Sequence, residues 1–421
     1  MKILILGLGY VGCTLAACLS RDDHVIIGVD VNRSKVDKIN AGEPPISEPG
    51  MAELVAAAHK AGKLFADVAI GDHIKDCDLA VVCVGTPSAP DGSHNMGFIA
   101  EVTRQIAEAA AAQPSDKRLA VAYRSTVRPG TMDELVTPIF RQEMGDAASR
   151  IDIVYNPEFL REASAIYDYD HPPKIVVGTL TGEASPVIDK LYEKIEAPRF
   201  NVKFRDAEFI KFVDNSWHAV KVTFANEVGR LCALQGVSAT AVHEIFTSDT
   251  KLNISKYYLR PGGAFGGSCL PKDVRALQYI AADVGAHTHL IDSLVRSNEA
   301  HKHFQYEQVT VGLEPGASVL LVGLAFKAHT DDLRESPNID IARKLLRDGY
   351  KLSIYDPAIE PAALVGQNLG YMYSQLPMLQ SLLVDKATAE ASRYDLIVSV
   401  NDTVKSLSVG TARHLDLSRI A

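Results

Sequence analysis

The first twelve residues, MKILILGLGYVG, restrict the local fold more than any other stretch of the chain. Lys2 to Leu6 form an apolar run that predicts a buried strand, and three glycines, Gly7, Gly9 and Gly12, precede a predicted helix over residues 13–20. The first glycine permits a tight turn, the second lets backbone amides approach a pyrophosphate, and the third lets the helix pack closely. Because unpaired amides at a helix N-terminus favour anions, the stretch predicts a parallel α/β unit that binds a nucleotide.

The residues that end the neighbouring strands indicate which nucleotide binds. The second strand, HVIIGVD, ends at Asp30, whose carboxylate can bind both ribose hydroxyls of NAD and would repel the extra phosphate of NADP. The run DLAVVCVGTP brings Thr86 to the same edge of the sheet, and YRSTV brings Thr126 there. Glycine turns of this spacing also occur without a ligand, but here strand, helix, second strand and terminal acid are in register. We therefore expect NAD as the cofactor.

Length and composition narrow the class of protein. A chain of 421 residues predicts two or three domains, and a formal net charge of −9 disfavours nucleic acid as a partner. No apolar run is long enough to span a bilayer, and the N-terminus lacks the pattern of a cleaved leader, so we expect a cytoplasmic protein with no membrane partner. Six cysteines without paired spacing predict reduced thiols and no metal site.

A second α/β pattern occupies the C-terminal third. SVLLVGLAFK predicts a strand and a loop, NIDIARKLLRDGY predicts an amphipathic helix, and KLSIYDP predicts a strand that ends at Asp356. The run DLIVSVND at Asp395 resembles DLAVVCVG at Asp78. Because VGLAFK lacks the dinucleotide glycines, this unit either binds a different nucleotide or is a structural lobe. The predicted fold class is α/β, with two doubly wound Rossmann-like domains joined by a long central helix.

That central helix is predicted from Asp206 to Gln235, where Gly236 ends it. Four polar residues with helical spacing share one stripe of its surface: Lys211, Asn215, His218 and Asn226. The apolar residues are expected to face apolar surroundings elsewhere: Phe209, Phe212, Val213, Val220 and Phe224. The stripe is either a solvated face or the wall of a site. Its amide and imidazole groups favour a site wall.

An acidic pair follows in the segment NPEFLRE. Asn156 is a typical helix cap and Pro157 a typical first helical residue, so the segment predicts a helix start. Glu158 and Glu162 would then lie four residues apart on one face. From the residues alone, an exposed acidic pair and a functional pair are equally good interpretations.

The segment FGGSCLPKD contains the cysteine that is best placed to react. Cys269 lies beside a predicted helix N-terminus and near Lys272, both of which favour the thiolate. Gly266 and Gly267 would let a substrate approach the sulfur. Four other cysteines fall in helical or strand patterns and are expected to be packing residues: Cys13, Cys18, Cys83 and Cys232. A thiolate beside a nicotinamide site can form a thiohemiacetal with an aldehyde, which loses hydride to become a thioester.

Seven segments together resemble the UDP-glucose/GDP-mannose dehydrogenase family. They are GLGYVG, CVGTPS, RSTVRPGT, NPEFLRE, FIKFVDNSWHAVKVTFANE, YYLRPGGAFGGSCLPKDVRAL and GLAFKAHTDDLRESP, and they follow the family's order to about residue 400. The resemblance implies oxidation of a nucleotide-sugar C6 alcohol to a carboxylate with two NAD per turnover. It is strongest in the GDP-mannose branch, which implies GDP-mannose as substrate, GDP-mannuronate for an alginate-type polysaccharide, and a homodimer or higher homo-oligomer built on the central helix.

The resemblance also implies domain roles and site residues. It implies an NAD-binding domain over residues 1–200, a central dimerisation and catalytic-loop region over 201–300, and a sugar-nucleotide-binding domain over 301–421. The implied catalytic residues are Cys269, Lys211, Asn215, Asp273, Glu162 and Thr126. The implied cofactor-binding residues are Gly7, Gly9, Tyr10, Val11, Gly12, Asp30, Lys35, Thr86, Thr126, Lys272 and Arg334. The implied substrate-binding residues are Glu162, Lys211, Asn215, His218, Asn226, Tyr257, Tyr258, Arg260, Gly266 and Lys327.

Three other functions remain open at this point. A UDP-sugar 6-dehydrogenase, acting on UDP-glucose or a UDP-N-acetylhexosamine, is the main one, because Gly263 stands where GDP-mannose enzymes tend to have an aromatic residue. A two-domain hydroxyacid dehydrogenase would need no cysteine at position 269. An inactive NAD-binding sensor would not need Cys269, Lys211 or Asp273, all of which are present.

Overall fold

The computed structural model describes residues 1–87, 95–113, 117–161, 163–255, 262–267, 270–328, 330–364, 366–408 and 413–418. The chain divides into two compact units, Met1–His218 and Ala219–Ala421. The three-domain division over 1–200, 201–300 and 301–421 stays a prediction.

The first unit alternates strands and helices. Its strands are β1 (Lys2–Leu6), β2 (Val25–Val29), β3 (Leu64–Asp67), β4 (Leu79–Val82), β5 (Leu119–Tyr123), β6 (Ile151–Tyr155), β7 (Ile175–Thr179) and β8 (Arg199–Lys203). Its helices are α1 (Tyr10–Arg21), α2 (Arg33–Asn40), α3 (Met51–Lys60), α4 (Gly97–Ala111), α5 (Thr137–Met144), α6 (Ala165–Asp170), α7 (Pro186–Leu191) and the first part of α8 (Phe204–Gln235). Shorter helical turns cover Gly71–Asp76, Met132–Val136 and Gly145–Arg150.

Within the described ranges, these strands form a single sheet in the order β3-β2-β1-β4-β5-β6-β7-β8. The pairs are parallel except β6 with β7, which is antiparallel. The chain leaves β1 for β2 on one side and later returns to β4 on the other, so the strand order reverses between β1 and β4. Ligands of open α/β sheets bind at such a point, outside the carboxyl ends of the strands.

The packing of the core explains why β1 is apolar from Ile3 to Leu6 instead of alternating between apolar and polar residues. Ile3 and Ile5 face one apolar cluster, which includes Leu19, whereas Leu4 and Leu6 face another on the opposite side of the sheet. All four of these β1 side chains are almost fully buried. A parallel sheet covered by helices on both faces requires this pattern.

The second unit contains a smaller sheet and a helical region. Its strands are β9 (Ser318–Val322), β10 (Lys351–Tyr355), β11 (Leu396–Ser399) and β12 (Arg413–Asp416), all parallel and ordered β10-β9-β11-β12 among the described residues. Its helices after α8 are α9 (Ala239–Ser248), α10 (Leu270–Asp283), α11 (His289–Thr310), α12 (Pro337–Arg347), α13 (Gly366–Gln375), α14 (Leu379–Leu382) and α15 (Lys386–Ala391). Short turns cover Pro361–Ala363 and Asp402–Ser406. The predicted fold class, with two doubly wound units and a long central helix, is confirmed.

The long helix α8 ends as predicted, because Gly236 after it adopts a left-handed φ of 65°. Its apolar residues do not all face apolar surroundings, which corrects the sequence-based expectation. Phe209, Val213 and Val220 are 58%, 43% and 38% exposed. A helix of 32 residues presents more apolar surface than its own chain covers. Among the helices in the described ranges, none is long and apolar enough to cross a membrane.

Candidate active site

The turn between β1 and α1 has the geometry that its glycines predict. Gly7 has a φ of 97°, and its N–H donates to the Val29 carbonyl at 2.7 Å. A Cβ on Gly12 would lie 1.9 Å from the Gly7 oxygen, so only glycine permits this approach. Within the part of the chain that the structure describes, a Cβ on Gly9 would meet no atom within 4 Å, and Gly9 has no side chain to cap α1. Open space therefore lies before an uncapped helix N-terminus, which suits a pyrophosphate.

Asp30 lies directly after β2 and is 7% exposed. Its carboxylate accepts hydrogen bonds from the backbone amides of Leu8 at 2.8 Å and Asn32 at 2.9 Å, and from Lys35 Nζ at 2.9 Å. Burial raises the pKa of Asp30, but the Lys35 ammonium and the two amides outweigh burial, so the pKa lies below its ordinary value. The carboxylate is thus ionised and fixed at the end of β2, as a ribose-binding acid must be. Together with the glycine turn, these residues fit NAD.

Other predicted cofactor residues lie on the same carboxyl edge of the sheet. Tyr10 and Val11 form the first turn of α1. Thr86 follows β4 and Thr126 follows β5, and the Thr86 hydroxyl donates to the Thr126 carbonyl at 2.8 Å. The fold therefore brings these two loops together next to the point where the strand order reverses.

Lys211 is the buried member of the polar stripe on α8. Its Nζ donates to the Glu158 carbonyl oxygen at 2.7 Å and lies 2.9 Å from the Glu158 carboxylate, with the Phe159 ring centroid 5.5 Å away. The ion pair is largely buried, since the side chains are 10% and 14% exposed. Asn215, His218 and Asn226 are exposed. The four polar residues of the stripe therefore have different surroundings. Lys211 contacts the segment 156–161, whereas the other three residues are exposed.

The segment NPEFLRE does not start a helix, so that prediction is wrong. Residues 156–161 are irregular, and the next helix begins at Ala165. The Asn156 amide is used elsewhere: its Nδ2 donates to the Val176 carbonyl at 2.8 Å, and its Oδ1 accepts from Arg124 Nη1 at 2.5 Å. Asn156 therefore anchors the segment to the sheet instead of capping a helix. The contact between Glu158 and Lys211 could not be predicted from helical or strand periodicity. Only the position of Glu158 within the NPEFLRE motif pointed to a function.

Glu48 is a further residue that sequence reasoning missed. Its buried carboxylate accepts a hydrogen bond from the Tyr10 hydroxyl and from the amides of Ala163 at 2.9 Å and Ala165 at 2.8 Å. Ala163 has a left-handed φ of 66°, which an alanine rarely adopts. Glu48 thus ties Tyr10, the first residue of α1, to the backbone that follows position 162. No local pattern around Glu48 predicts contacts with residues more than one hundred positions away.

In the second unit, the glycines before position 269 are required by packing within the chain. A Cβ on Gly266 would lie 2.4 Å from the Glu335 oxygen and 2.6 Å from the Pro337 side chain. Gly267 has a φ of 85°, and a Cβ there would lie 3.0 Å from the Phe326 ring. From the sequence, these two glycines are interpreted as residues that let a substrate approach the sulfur. The structure gives a steric reason for them instead, because a side chain at either position would lie too close to neighbouring residues of the chain.

The remaining predicted residues of this unit lie on α10 and on the loop after β9. Lys272 and Asp273 occupy the first turn of α10 and form an exposed ion pair at 2.6 Å. The Arg334 guanidinium donates two hydrogen bonds to the Asp332 carboxylate, both at 2.8 Å, and the Arg334 amide donates a third at 3.0 Å. Lys327 is exposed. Five predicted site residues lie outside the described residues: Glu162, Tyr257, Tyr258, Arg260 and Cys269.

Packing is confirmed for the four cysteines for which it was predicted, Cys13, Cys18, Cys83 and Cys232, and Cys77, for which no prediction was made, is buried as well. Burial raises the pKa of Cys13, Cys18 and Cys83 to about 12. It raises the pKa of Cys77 to about 11. Cys232 is 7% exposed. Because the thiolate is the reactive form of cysteine, the four thiols with raised pKa values are poor nucleophiles near neutral pH.

Comparison with known proteins identifies the family. Residues 1–196 match the profile of the UDP-glucose/GDP-mannose dehydrogenase family, NAD binding domain. Residues 205–300 match the central domain of the same family, and residues 320–412 match its UDP binding domain.

Individual relatives cover almost the whole chain. GDP-mannose 6-dehydrogenase of Pseudomonas putida is 42% identical over 402 residues, covering 95% of this chain and 91% of the relative. The enzyme of that name from Azotobacter vinelandii is 43% identical over 405 residues, with the same coverage. A UDP-glucose 6-dehydrogenase of Bacillus subtilis is 33% identical over 359 residues, covering 85% of this chain and 80% of the relative.

Solved structures agree with these matches. The ternary complex of GDP-mannose dehydrogenase from Pseudomonas aeruginosa superimposes with a TM-score of 0.92 at 41% identity, covering 99% of this chain and 96% of that one. A UDP-glucose dehydrogenase from Pyrobaculum islandicum gives a TM-score of 0.57 at 30% identity, covering 99% and 94%. The chain therefore belongs to the UDP-glucose/GDP-mannose dehydrogenase family, and its N-terminal region is that family's NAD-binding domain.

Proposed function

We propose that this chain is an NAD-dependent GDP-mannose 6-dehydrogenase, which oxidises C6 of GDP-mannose to the carboxylate of GDP-mannuronate. The observation that carries the proposal is a difference in similarity. Six GDP-mannose 6-dehydrogenases are 41–43% identical over 95–96% of this chain. Two UDP-glucose 6-dehydrogenases are 30% and 33% identical. This difference favours the GDP-mannose reaction over the UDP-glucose reaction.

The residues that would hold NAD are those of the glycine turn and Asp30. The open space before α1 suits the pyrophosphate, and the fixed Asp30 carboxylate suits the ribose hydroxyls. When bound, NAD supplies a hydride acceptor, and two equivalents are consumed for each sugar. Tyr10, Val11, Lys35 and Thr86 complete this part of the proposed site, with Lys272 and Arg334 assigned to it from the second unit.

The chemistry proposed for the chain's own residues begins with Cys269. The primary alcohol loses a hydride from C6 and a proton from its hydroxyl oxygen to give an aldehyde. The Cys269 thiolate adds to this aldehyde carbon, forming a C–S bond and a thiohemiacetal oxyanion. Loss of a second hydride from the same carbon gives a thioester. Water then adds to the thioester carbon, the C–S bond breaks, and the products are the carboxylate and the regenerated thiolate.

The ammonium of Lys211, with the Asn215 amide, is proposed to stabilise negative charge on the C6 oxygen during these steps. Glu158 supports that role, because its carboxylate and carbonyl both hold Lys211 Nζ and so fix the direction of the ammonium. Asp273, Glu162 and Thr126 are proposed to handle the proton transfers and the attacking water. The residues proposed to bind the sugar nucleotide are His218, Asn226, Tyr257, Tyr258, Arg260, Gly266 and Lys327.

The proposal extends to assembly and cellular role. Phe209, Val213 and Val220 leave apolar surface exposed on α8, which supports a homodimer that packs a second copy against this helix. We propose that the enzyme acts in the cytoplasm and that GDP-mannuronate supplies an alginate-type polysaccharide.

The substrate assignment is tested by measuring NADH formation with GDP-mannose, UDP-glucose and a UDP-N-acetylhexosamine under identical conditions. We expect kcat/KM for GDP-mannose to exceed that for either UDP-sugar by about 100-fold or more, since a site built to hydrogen-bond one base rejects another strongly. The Lys211→Met variant is the control for contaminating dehydrogenases, because it should lose about 10²–10³ in kcat. A preference for a UDP-sugar would assign the chain to the other branch of the family.

A further inference from the structure

The backbone that leads to position 269 is held by one face of α11. Asn298, His301 and Gln305 are spaced by three and four residues, so they share a stripe of that helix. Each of them forms a hydrogen bond with the backbone of residues 262–265. These three residues play no part in the proposed function above.

Asn298 makes the best-defined of these contacts. Its Oδ1 accepts from the Phe265 amide at 2.9 Å, and its Nδ2 donates to the Phe265 carbonyl at 2.9 Å. The side-chain amide therefore pairs with both polar groups of a single residue, as one strand pairs with another. Such a double contact fixes the orientation of the peptide as well as its position, which a single hydrogen bond does not.

The two other side chains extend this anchor along the loop. His301 Nε2 contacts the Gly262 carbonyl at 2.7 Å, and the Gln305 Oε1 accepts from the Ala264 amide at 3.3 Å. Gln305 is 3% exposed, and its Nε2 donates to the Leu417 carbonyl at 3.4 Å. An irregular loop cannot satisfy its backbone polar groups with its own regular structure, so these side-chain partners favour a single course for the chain.

The next two residues of the same loop are held by close packing with another part of the chain. Gly266 lies against the backbone of Glu335 and the ring of Pro337, and Gly267 lies against Phe326. The loop is therefore restricted from two directions. One is the α11 stripe, and the other is the segment between β9 and α12. The restricted backbone ends at Gly267, two residues before Cys269, and α10 begins at Leu270.

We propose that Asn298 is a positioning residue for the Cys269 nucleophile. By pairing with Phe265 it fixes the backbone from which the cysteine follows, and His301 and Gln305 support the same loop. The inference rests on the proposed function for the identity of the nucleophile. Misplacement of a reacting group by about 1 Å can cost about 100-fold in rate, so loss of this anchor should lower kcat rather than substrate affinity.

The test uses Asn298→Asp, because aspartate changes its hydrogen bonding with protonation. Ionised, it accepts from the Phe265 amide but places a second oxygen against the Phe265 carbonyl. Protonated, its hydroxyl can donate to that carbonyl and restore both contacts. The Phe265 carbonyl opposes the ionised form, so the pKa of this aspartic acid should lie above its ordinary value of about 3.9. We expect kcat to fall at least tenfold relative to the unaltered protein at about pH 8, and the ratio to rise as pH falls toward about 5, because the protonated fraction increases. KM for NAD should change less than twofold.

Two controls keep the test interpretable. Measuring the unaltered protein at each pH removes from the ratio any pH dependence that the two proteins share. Asn298→Ala should have low kcat at every pH, whereas Gln308→Ala, on an exposed position of the same helix, should match the unaltered protein. A variant that regains activity reversibly with pH cannot owe its loss to misfolding. A flat ratio for Asn298→Asp, or kcat within twofold of normal for Asn298→Ala, overturns the proposal.

Failure of the proposed function would be recognised separately, because the unaltered protein would then oxidise none of the sugar nucleotides. The inference is still tested in that case by alkylation of Cys269 with iodoacetamide, followed by peptide mass mapping. In sequence Cys269 directly precedes α10, and a helix N-terminus favours a thiolate, so loss of the anchor in Asn298→Ala should make alkylation at least threefold slower than in Gln308→Ala at about pH 7. Equal rates would overturn it.

Discussion

The turn after β1 in the first unit and the turn after β9 in the second are built from the same parts. Gly7 and Gly323 both adopt left-handed conformations, with φ values of 97° and 93°, and each N–H donates to the last residue of the neighbouring strand, at 2.7 Å and 2.9 Å. Asp30 and Asp356 then follow β2 and β10. Each carboxylate accepts the amide of the residue after the glycine, Leu8 or Leu324, at 2.8 Å.

The two units differ in the connection between this glycine and the next helix. In the first, α1 begins three residues later, at Tyr10, with Gly9 leaving open space before its N-terminus. In the second, α12 begins only at Pro337, and its N-terminus is capped by Ser336, whose hydroxyl accepts from the Asn338 amide at 3.3 Å. The longer connection in the second unit contains Lys327 and Arg334.

This comparison distinguishes the residues that form the turn in both units from the residues that differ between the units. The glycine and the acid recur in both units because they form the turn itself. The uncapped helix lies in the region that matches the family's NAD binding domain, and the capped helix lies in the region that matches its UDP binding domain. We therefore expect ligand choice in each unit to depend on the residues between the first strand and the following helix rather than on the strands.

The largest expected effect comes from Gly12. A Cβ there would overlap the Gly7 oxygen, so Gly12→Ala should displace α1, weaken NAD binding by more than about 100-fold and lower the free energy of unfolding by about 1–3 kcal/mol. Gly9→Ala is the matched control, since its Cβ meets no protein atom. It should weaken NAD binding while leaving the thermal unfolding midpoint unchanged. Calorimetric titration with NAD and thermal melts measure both. Equal stability of the two variants would contradict this account of the turn.

Asp356→Ala tests whether the acid of the second unit is purely structural. Its carboxylate accepts the amides of Leu324 at 2.8 Å, Ala325 at 3.2 Å and Ala358 at 3.1 Å, and the residue is 6% exposed. Leaving these donors unpaired should cost about 3 kcal/mol of stability, while KM for NAD stays within twofold. Denaturant unfolding and NAD saturation kinetics check these outcomes. A raised KM for NAD with normal stability would mean that the two acids share one role.

A smaller effect is expected from Asp30→Ala on cofactor choice. Removing the carboxylate that repels the 2′-phosphate should reduce the preference for NAD over NADP about tenfold or more in kcat/KM. Steady-state rates with both cofactors provide the measurement. Equal rates of the unaltered protein with NAD and NADP would contradict the proposal that Asp30 binds the ribose hydroxyls.

The smallest effect is a pH dependence of stability at the same residue. The pKa of Asp30 lies below its ordinary value in the folded protein. Its contribution is therefore fully present above about pH 4, the ordinary carboxyl range, and is lost as pH falls through the lower folded value. Asp30→Asn should make the acid limb of the unfolding curve less steep below about pH 4. An unchanged acid limb would show that Asp30 does not contribute.

The sequence predicts the features that depend on local spacing. Gly7, Gly9, Gly12 and Asp30 were readable because each has a fixed place in a strand–turn–helix unit, and the end of α8 at Gly236 was readable for the same reason. The helix predicted at Asn156 was wrong because tertiary partners, Arg124 and the Val176 carbonyl, use the amide that would have capped it.

Contacts between distant parts of the chain left no such signal. Glu48 and Asn298 hold backbone segments 115 and 33 residues away, and nothing in their own surroundings marks them. The exposure of Phe209 and Val213 was also missed, because helical periodicity shows which residues share a face but not whether the chain covers that face. Contacts of this kind between distant parts of the chain can be identified only from the three-dimensional structure.

The number of NADH molecules released per GDP-mannose consumed tests the central claim most directly. A thiohemiacetal and thioester on Cys269 require two hydride losses from C6, so complete conversion of a known amount of GDP-mannose with excess NAD should release two NADH per sugar. Cys269→Ala should not complete this reaction, because no thioester can form. Release of one NADH per sugar, or of two by Cys269→Ala at a near-normal rate, would contradict the account.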